Sequence, residues 1–366
     1  MHKKLFIAIG LIFIAVIVII VVKTSRIYPI LFQVFFNKEI QLKKENANIN
    51  VLLLGTGGGQ HEGPDLTDTI IFASVDIKKN KVNLVSIPRD LWITDLNARI
   101  NTAYSNAEAK RRGGGILVAN AVVAKVVNHP IDYTIRIDFD GFVKTVDILG
   151  GVDIDIQSIF DDYRYPITGK ENDSCGFSDE DIKEFISTSS AELDIQEKFS
   201  CRYKHLHFDE GLIHMDGQTA LEFVRSRHAE GSDGTDFSRS KRQEQVIEAL
   251  KDKVFSINFF LNPGKVISVY GALRDNIDTN IKEEEIDDFI KLAGKMKGAK
   301  IENVVLDYGD RQKGRPGLLL NPPITSVYQN QWVLIPRIGR DDFSEIHKYI
   351  ECEIKVGNCP IQPSGE

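Results

Sequence analysis

Apolar residues along this chain follow two rhythms, alternating in some stretches and recurring every three to four positions in others. Val51–Leu54 is a short apolar strand that runs into Gly55-Thr-Gly-Gly-Gly. Thr69–Asp76 and Val82–Ile87 are rich in β-branched residues and predict two further strands, with 76–81 as their hairpin connection. A small helix is expected around Ala103, and Gly113–Gly115 open an amphipathic helix over Ile116–Val127. Ile131–Phe139 reads as a strand, Gly141–Leu149 as a helix and Gly151–Ile156 as a strand. Later, Asp216-Gly-Gln-Thr-Ala caps a helix through Val224. Glu283–Met296 is helical with Ile286, Phe289, Ile290 and Ala293 facing inward, Val304–Leu306 and Trp332–Ile335 are strands, and Asp342–Ile354 is a last helix. This alternation indicates an α/β domain with a mixed central β-sheet flanked by helices. Ser158–Leu206 shows no sustained period and reads as an insertion with a helix near Glu180–Phe185.

One apolar run has a different length. Leu5–Val22 is apolar throughout, flanked by Lys3 and Lys4 on one side and Lys23 and Arg26 on the other. It is long enough to cross a bilayer and no small-residue cleavage site follows, so an N-terminal transmembrane helix is expected rather than a removed leader. Residues 1–4 then form a short cytoplasmic N-terminus, 5–22 the anchor, and 23–50 a juxtamembrane segment and linker. Residues 51–356 form one extracytoplasmic domain with the insertion at about 158–206, and 357–366 a tail. The expected place is the cell membrane, spanned once, with the domain outside the cytoplasm.

Composition narrows the function. Of 366 residues, 42% are hydrophobic and 27% charged, which suits a globular domain with a sizeable core. The net charge of -7 argues against nucleic acid as a general partner. Cys175, Cys201, Cys352 and Cys359 form no CxxC pair and have no spacing suited to zinc. Outside the cytoplasm they permit disulfides, with 352–359 and 175–201 as the local pairings; buried free thiols are the other reading.

Against this acidic background one stretch is cationic. Residues 225–245 read RSRHAEGSDGTDFSRSKRQEQ, and a helix is expected from Arg239 to about Phe255 after a loop at 231–234, with Asp236 or Ser238 as N-cap. A charge run is usually a solvated face. Here Arg239, Arg242, Gln243, Val246, Ile247 and Leu250 share one stripe, so the two arginines point inward at a helix start, while Lys241, Glu244, Gln245 and Glu248 take the wet side. Inward guanidiniums are costly unless an anion meets them, and the helix N-terminus adds positive potential to the same place. Arg225 and Arg227, two apart, aim the same way if extended. The pattern reads as a phosphate site, for more than one phosphate, since guanidinium matches phosphate oxygens two at a time.

Other motifs are weaker. A dinucleotide fingerprint would need glycine where Gln60 stands, and the phosphate-loop ending Gly-Lys-Ser/Thr is absent, so a nucleotide-binding enzyme is disfavoured. The glycine run turns the chain or permits a close backbone approach. Asp65 and Asp68 in GPDLTDT precede a strand; Asp68 could hold a hard cation, though a cap or turn is the commoner role of an aspartate there. Pro88 ends a strand and presents Arg89 at its terminus, where α/β proteins keep their chemistry.

The segments LLLGTGG, LTDTIIFASVD, VNLVSIPRDLWI, ARINTAY, DFDGFVKTVDILGGVDIDI, MDGQTALEFVRSRH and DFSRSKRQEQVI occur in this order between about Val51 and Leu250. Together they resemble the LytR–CpsA–Psr phosphotransferases of the bacterial envelope. The resemblance implies an α/β fold with a deep hydrophobic pocket for a polyprenyl chain and an arginine-lined mouth for its pyrophosphate. It implies transfer of a glycopolymer, such as teichoic acid or capsular polysaccharide, from a polyprenyl-pyrophosphate carrier to peptidoglycan, with Mg2+ or Mn2+ as cofactor. By motif, Arg89, Arg99, Arg225, Arg227 and Arg239 would hold phosphates, with Arg242 and Gln243 on the same helix motif. Asp68 would be a metal ligand, and Asp236 the acidic partner of the arginines, a base for the incoming hydroxyl. Two positions depart from the family pattern. Thr56 or Gly57 stands where the family has a second metal-binding aspartate, which leaves the metal to Asp68 with Asp65, or with His61. The lysine of the usual KIN segment is Arg99, which keeps the charge and changes its geometry. The rival readings are a hydrolase acting on the same pyrophosphate and a non-catalytic lipid-phosphate binder; released polymer would mark the first, and binding without turnover the second.

Overall fold

The computed structural model describes residues 40–44, 48–59, 63–188, 197–229, 236–254, 271, 276–296, 298–310 and 314–362. The expected anchor at 5–22 and His61 lie outside them. Among the described residues no helix is long and apolar enough to cross a membrane.

The domain is built on a six-stranded mixed sheet. Strand β1 (Asn48–Thr56) is central, antiparallel to β2 (Thr67–Asp76), which is antiparallel to β3 (Lys81–Ser86). On its other side β1 runs parallel to β4 (Tyr133–Asp138). Short β9 (Ile277–Thr279) pairs antiparallel with β4, and β10 (Lys300–Val305) runs parallel to β3. The β2–β3 connection is set locally: the Asp76 carboxylate accepts from the backbone N–H groups of Lys78 and Lys79, and Asn80 adopts a left-handed φ of 52°.

Because side chains alternate across a strand, the sheet buries two faces. On one, Leu52, Leu54, Ile70, Phe72 and Val85 pack under helix α2 (Gly114–Val127) and helix α8 (Ser344–Lys355), close to α1 (Thr102–Lys110). On the other, Ile49, Val51, Ile71 and Leu84 meet Leu292 of α7 (Ile286–Lys295) and, partly, Ile247 of α6 (Asp236–Val254). Phe72 is fully buried, so truncation to alanine costs about 3–5 kcal/mol.

A second core sits at one end of this sheet. Helix α3 (Phe139–Leu149) is capped by Asp138, whose carboxylate accepts from the Gly141 N–H at 2.8 Å, and stops at Gly150, φ 84°. Helix α5 (Gly217–Arg225) is capped by Asp216, which accepts from the Thr219 N–H at 2.8 Å. These helices and α6 enclose Val146, Phe223 and Val246 with residues of two small ladders. One ladder pairs β5 (Val152–Ile156) with β8 (Gly211–Met215), and the other pairs β6 (Phe160–Pro166) with β7 (Tyr203–Phe208).

Several expectations change. The stretch 158–206 contributes Phe160, Tyr165 and Leu206 to this second core, so its ends are part of the domain and only the region around α4 (Asp179–Thr188) reads as an excursion. The linker expected up to Asn50 ends earlier, with Leu42 already buried and β1 starting at Asn48. Both local disulfides form, Cys175–Cys201 and Cys352–Cys359. The second ties the start of the expected tail to α8, and Ile361 packs on the main core.

Candidate active site

Four strand ends and two helix ends meet at one edge of the sheet. The carboxyl ends of β1, β3 and β4 and the amino end of β2 lie together, because Thr56 pairs with both Thr67 and Asp138 and Ile71 pairs with Ser86. From this edge come Asp68 and Thr69 of β2, Arg89 after β3 and Phe139 after β4. Facing them are Val224 and Arg225 at the end of α5, Arg227 and His228 just beyond it, and Arg239 and Gln243 of α6. Tyr165 and Pro166 at the end of β6 close the ring around a cleft of about 270 Å³.

Thr69 is held close to the chain opposite. Its Cβ lies 3.0 Å from where a Cβ on Gly55 would stand, so that residue admits no side chain without displacement. Gly58, at φ +66°, would bring a Cβ to 2.7 Å from that of Asp138. The glycine run therefore turns the end of β1 past β4.

On the sheet side, Arg89 donates to Asp68 and lies 3.5 Å from Asp90. Asp90 also accepts from Arg99 at 2.8 Å. Burial is the largest influence on Arg89 and lowers its pKa, but Asp68 and then Asp90 outweigh it and hold the guanidinium above its ordinary value. It stays charged at any relevant pH. Arg99 is outside the lining of the cleft and acts on it through Asp90.

On the helical side the segment 225–228 is clamped twice. Asp162, fully buried on β6, accepts from the Ser226 hydroxyl at 2.5 Å and from the His228 N–H at 3.2 Å. From the opposite side Arg242, 4% exposed, donates to the Phe223 carbonyl at 2.9 Å and the Ser226 carbonyl at 2.6 Å. Ser226 itself is extended (φ -54°, ψ 135°), so Arg225 and Arg227 flank it and line the same cleft. The Arg225 guanidinium lies 4.1 Å from the Phe139 ring centre, a cation–π contact that fixes its aim. Burial raises the Tyr165 hydroxyl to about 12 despite nearby Arg225, so it remains a neutral group on the wall.

The structure thus brings Arg89, Arg225, Arg227, Arg239, Gln243 and Asp68 together at one cleft. Arg242 departs from the expected phosphate role. It points inward, as the helical stripe predicts, but the carbonyls of Phe223 and Ser226 accept from it and the rings of Phe160 and Phe223 flank it at 5.0 and 5.8 Å. It positions the arginines that line the cleft. Asp65 pairs with Arg136 at 3.1 Å and is not among the lining residues. Asp236 begins α6, three residues before the expected start, and its side chain lies outside the described residues. Glu244, expected on the wet side, is half-buried, and burial raises its carboxyl above the ordinary range. Asp162 escapes the sequence reading because Asp161-Asp162-Tyr-Arg looks like polar loop. The signal that could have found it is its place two residues after apolar Phe160, on the inward face that Tyr165 rejoins after a bulge.

The donor set also bears on a metal. Among the described residues no group of three His, Cys, Asp or Glu ligands includes Asp68 or Asp65. Thr56, where a second carboxylate would be expected, is fully buried with no hydrogen-bond partner for its hydroxyl. Among the described residues Asp68 is the one carboxylate that lines the cleft, which suits Mg2+ held together with a substrate rather than in a cage of described residues.

Residues 32–319 match the model of the LytR_cpsA_psr family. The chain is 26% identical over 256 residues to the polyisoprenyl-teichoic acid–peptidoglycan teichoic acid transferase TagV of Bacillus subtilis, covering 68% of this chain and 53% of that protein. It is 28% identical over 259 residues to the transferase TagU of Bacillus cereus, covering 69% of this chain and 67% of the relative. The chain thus spans about half the length of the TagV it matches. Among solved structures, the Lin1025 protein of Listeria innocua superposes with a TM-score of 0.54 at 25% identity, covering 86% of this chain and 100% of that one. TagV of B. subtilis superposes at 0.53 and 22% identity, covering 84% and 97%.

Proposed function

Because the chain belongs to the LytR_cpsA_psr family, we propose that it is a membrane-anchored phosphotransferase that moves a glycopolymer from a polyprenyl-pyrophosphate carrier to peptidoglycan. The observation that carries this reading is the convergence of Arg89, Arg225, Arg227 and Arg239 on one cleft whose described lining includes one carboxylate, Asp68. A pyrophosphate is the multiply charged guest such a cleft fits. TagV and TagU, the relatives it resembles over about 250 residues, carry the name of this transferase activity.

In the proposed reaction a sugar hydroxyl of peptidoglycan attacks the phosphorus next to the glycopolymer. The bond from that phosphorus to the bridging oxygen breaks and polyprenyl phosphate leaves, with the hydroxyl proton passing to Asp236, the expected base, or to the departing phosphate. Arg225, Arg227 and Arg239 stabilise the charge that grows on the equatorial and leaving oxygens. Arg89 is held to Asp68 and Asp90 and offers its remaining N–H groups to the same pyrophosphate. Asp68 is the residue that would hold Mg2+ or Mn2+, which supplies further charge neutralisation when bound with the substrate. The Asp162 and Arg242 clamps keep the arginines in place before substrate arrives, so the cost of ordering them is met on folding.

Of the described residues, Phe139, Pro166 and Val224 supply the apolar part of the lining, and the volume of about 270 Å³ suits a headgroup. The proposed guest of this part of the molecule is therefore the headgroup. The N-terminal apolar run at 5–22 would hold the domain outside the cell membrane, beside a carrier that is itself in the bilayer. Two disulfides support an oxidising, extracytoplasmic setting.

Incubating the full chain in detergent with lipid-linked polymer, peptidoglycan and Mg2+ tests the reading. Polymer joined to peptidoglycan is expected. Free polymer as the only product would make the protein a hydrolase, and intact substrate would make it a binder.

A further inference from the structure

We infer that the outer face of the β6–β7 ladder is a binding site for one divalent transition-metal ion of the Zn2+ class, with Asp161, His205 and His207 as ligands. Along β7 the side chains alternate: Leu206 and Phe208 are buried, at 7% and 5% exposure, while His205 and His207 face outward. Strand register places Asp161 of β6 directly opposite His207. Both imidazoles converge on one oxygen of that carboxylate. His205 Nε2 lies 2.6 Å and His207 Nδ1 2.8 Å from Asp161 Oδ1. One ligand atom from each of the three lies within 4.8 Å of the others. Tetrahedral zinc, with bonds of about 2.0–2.2 Å, wants its ligand atoms roughly 3.4 Å apart. Exposed side chains reach that spacing with shifts of about an ångström or less.

The surroundings are those of a ligand set rather than of two stray histidines. A metal-bound imidazole ordinarily gives its second N–H to a carboxylate, which fixes its orientation. With Nδ1 of His207 on the ion, its Nε2 faces Asp209 Oδ1 at 3.3 Å, two residues along the same face. The ring of His205 is held by the Tyr163 ring, stacked at 4.1 Å with an interplanar angle of 9°. Two imidazoles and one carboxylate favour Zn2+, Cu2+ or Ni2+ over Mg2+. The other three-ligand group, Asp173 with Cys175 and Cys201, has its sulfurs in a disulfide. The ion at Asp161 would pin β6 to β7, and the inner face of β6 carries Asp162, the clamp of the arginine segment.

The test uses untagged full chain in detergent, stripped with a chelator and titrated with Zn2+ by calorimetry, with Co2+ as an absorbance probe. One equivalent is expected, accompanied by a rise in the thermal transition, since a ligand that binds the folded state stabilises it. The H205A/H207A double variant should lose that equivalent while keeping the wild-type circular dichroism, and D209N should weaken binding by about 10-fold or more. No stoichiometric binding, or equal binding by the double variant, overturns the site. Loss of the equivalent in Asp68→Ala would place the ion in the cleft and also overturn it.

Discussion

The two walls of the cleft hold their charges by opposite means. On the sheet wall, Arg89 is answered by the carboxylates of Asp68 and Asp90, and Asp90 is shared with Arg99. On the helical wall, Arg225, Arg227 and Arg239 line the cleft with His228 and Gln243, and no carboxylate is among the described lining residues there. The carboxylate of that wall, Asp162, is set behind it and spends its hydrogen bonds on Ser226 and the backbone. The sheet wall is a balanced ion-pair chain between a strand residue, Asp68, and the turn that follows β3. The helical wall gathers guanidiniums on a segment held by two buried clamps. An incoming anion is expected to meet those guanidiniums, and a cation to enter at Asp68.

Replacing Arg225 and Arg227 together by alanine should have the largest effect. Turnover of lipid-linked substrate should fall by about 10³-fold or more, on the scale of removing preorganised donors from a developing charge, while the thermal transition stays near wild type. Retained activity would remove the helical wall from the chemistry.

The clamps come next, and they should affect fold and function together. Asp162→Ala leaves the Ser226 hydroxyl and the His228 N–H without this acceptor, and Arg242→Met leaves two buried carbonyls without this donor. Each should cost about 1–3 kcal/mol or more in urea unfolding, and activity should fall in whatever fraction stays folded. An activity loss without any loss of stability would mean these residues touch substrate directly.

On the sheet wall, Asp68→Ala should lower activity and flatten its dependence on Mg2+ in parallel; an unchanged Mg2+ response would put the cation elsewhere. Arg99→Ala should do least. It removes one partly exposed ion pair worth about 1 kcal/mol, roughly a fivefold effect on turnover. A loss as large as that of the helical-wall variants would show that Arg99 reaches the substrate itself.

Tyr165 gives a further, smaller test. Its pKa rises from 10.0 to about 12 on folding, mainly through burial. Its contribution to stability is therefore whole below pH 10 and lost as pH climbs toward 12, because the unfolded chain releases the proton first. Unfolding free energies measured across that window should decline less steeply in Tyr165→Phe.

Much of the main sheet is legible in the chain because β1, β2 and β3 alternate or run apolar between turn residues. The caps at Asp138 and Asp216 mark their helices just as plainly. The arginine cluster is legible for the same reason: a helical stripe says which side chains turn inward. It does not say what they meet. Arg239 reaches the cleft, whereas Arg242, one turn on, reaches the carbonyls of Phe223 and Ser226, because α5 ends there. That neighbour is fixed by tertiary packing, which periodicity cannot report. The β6–β7 ladder stays hidden because its outer face carries Asp161, Tyr163, His205 and His207, and polar residues on one side of a short strand look like loop. Both Asp162 and the proposed metal ligands lie on that ladder.

The helical wall is proposed to bind the pyrophosphate of a lipid carrier, and calorimetric titration of the detergent-solubilised full chain, and of its R225A/R227A variant, with polyprenyl pyrophosphate tests this. Saturable binding by the wild type is expected, with affinity lower by about 100-fold in the variant, as for loss of two charge-assisted contacts of about 1.5 kcal/mol each. Equal affinity in the two proteins would contradict it.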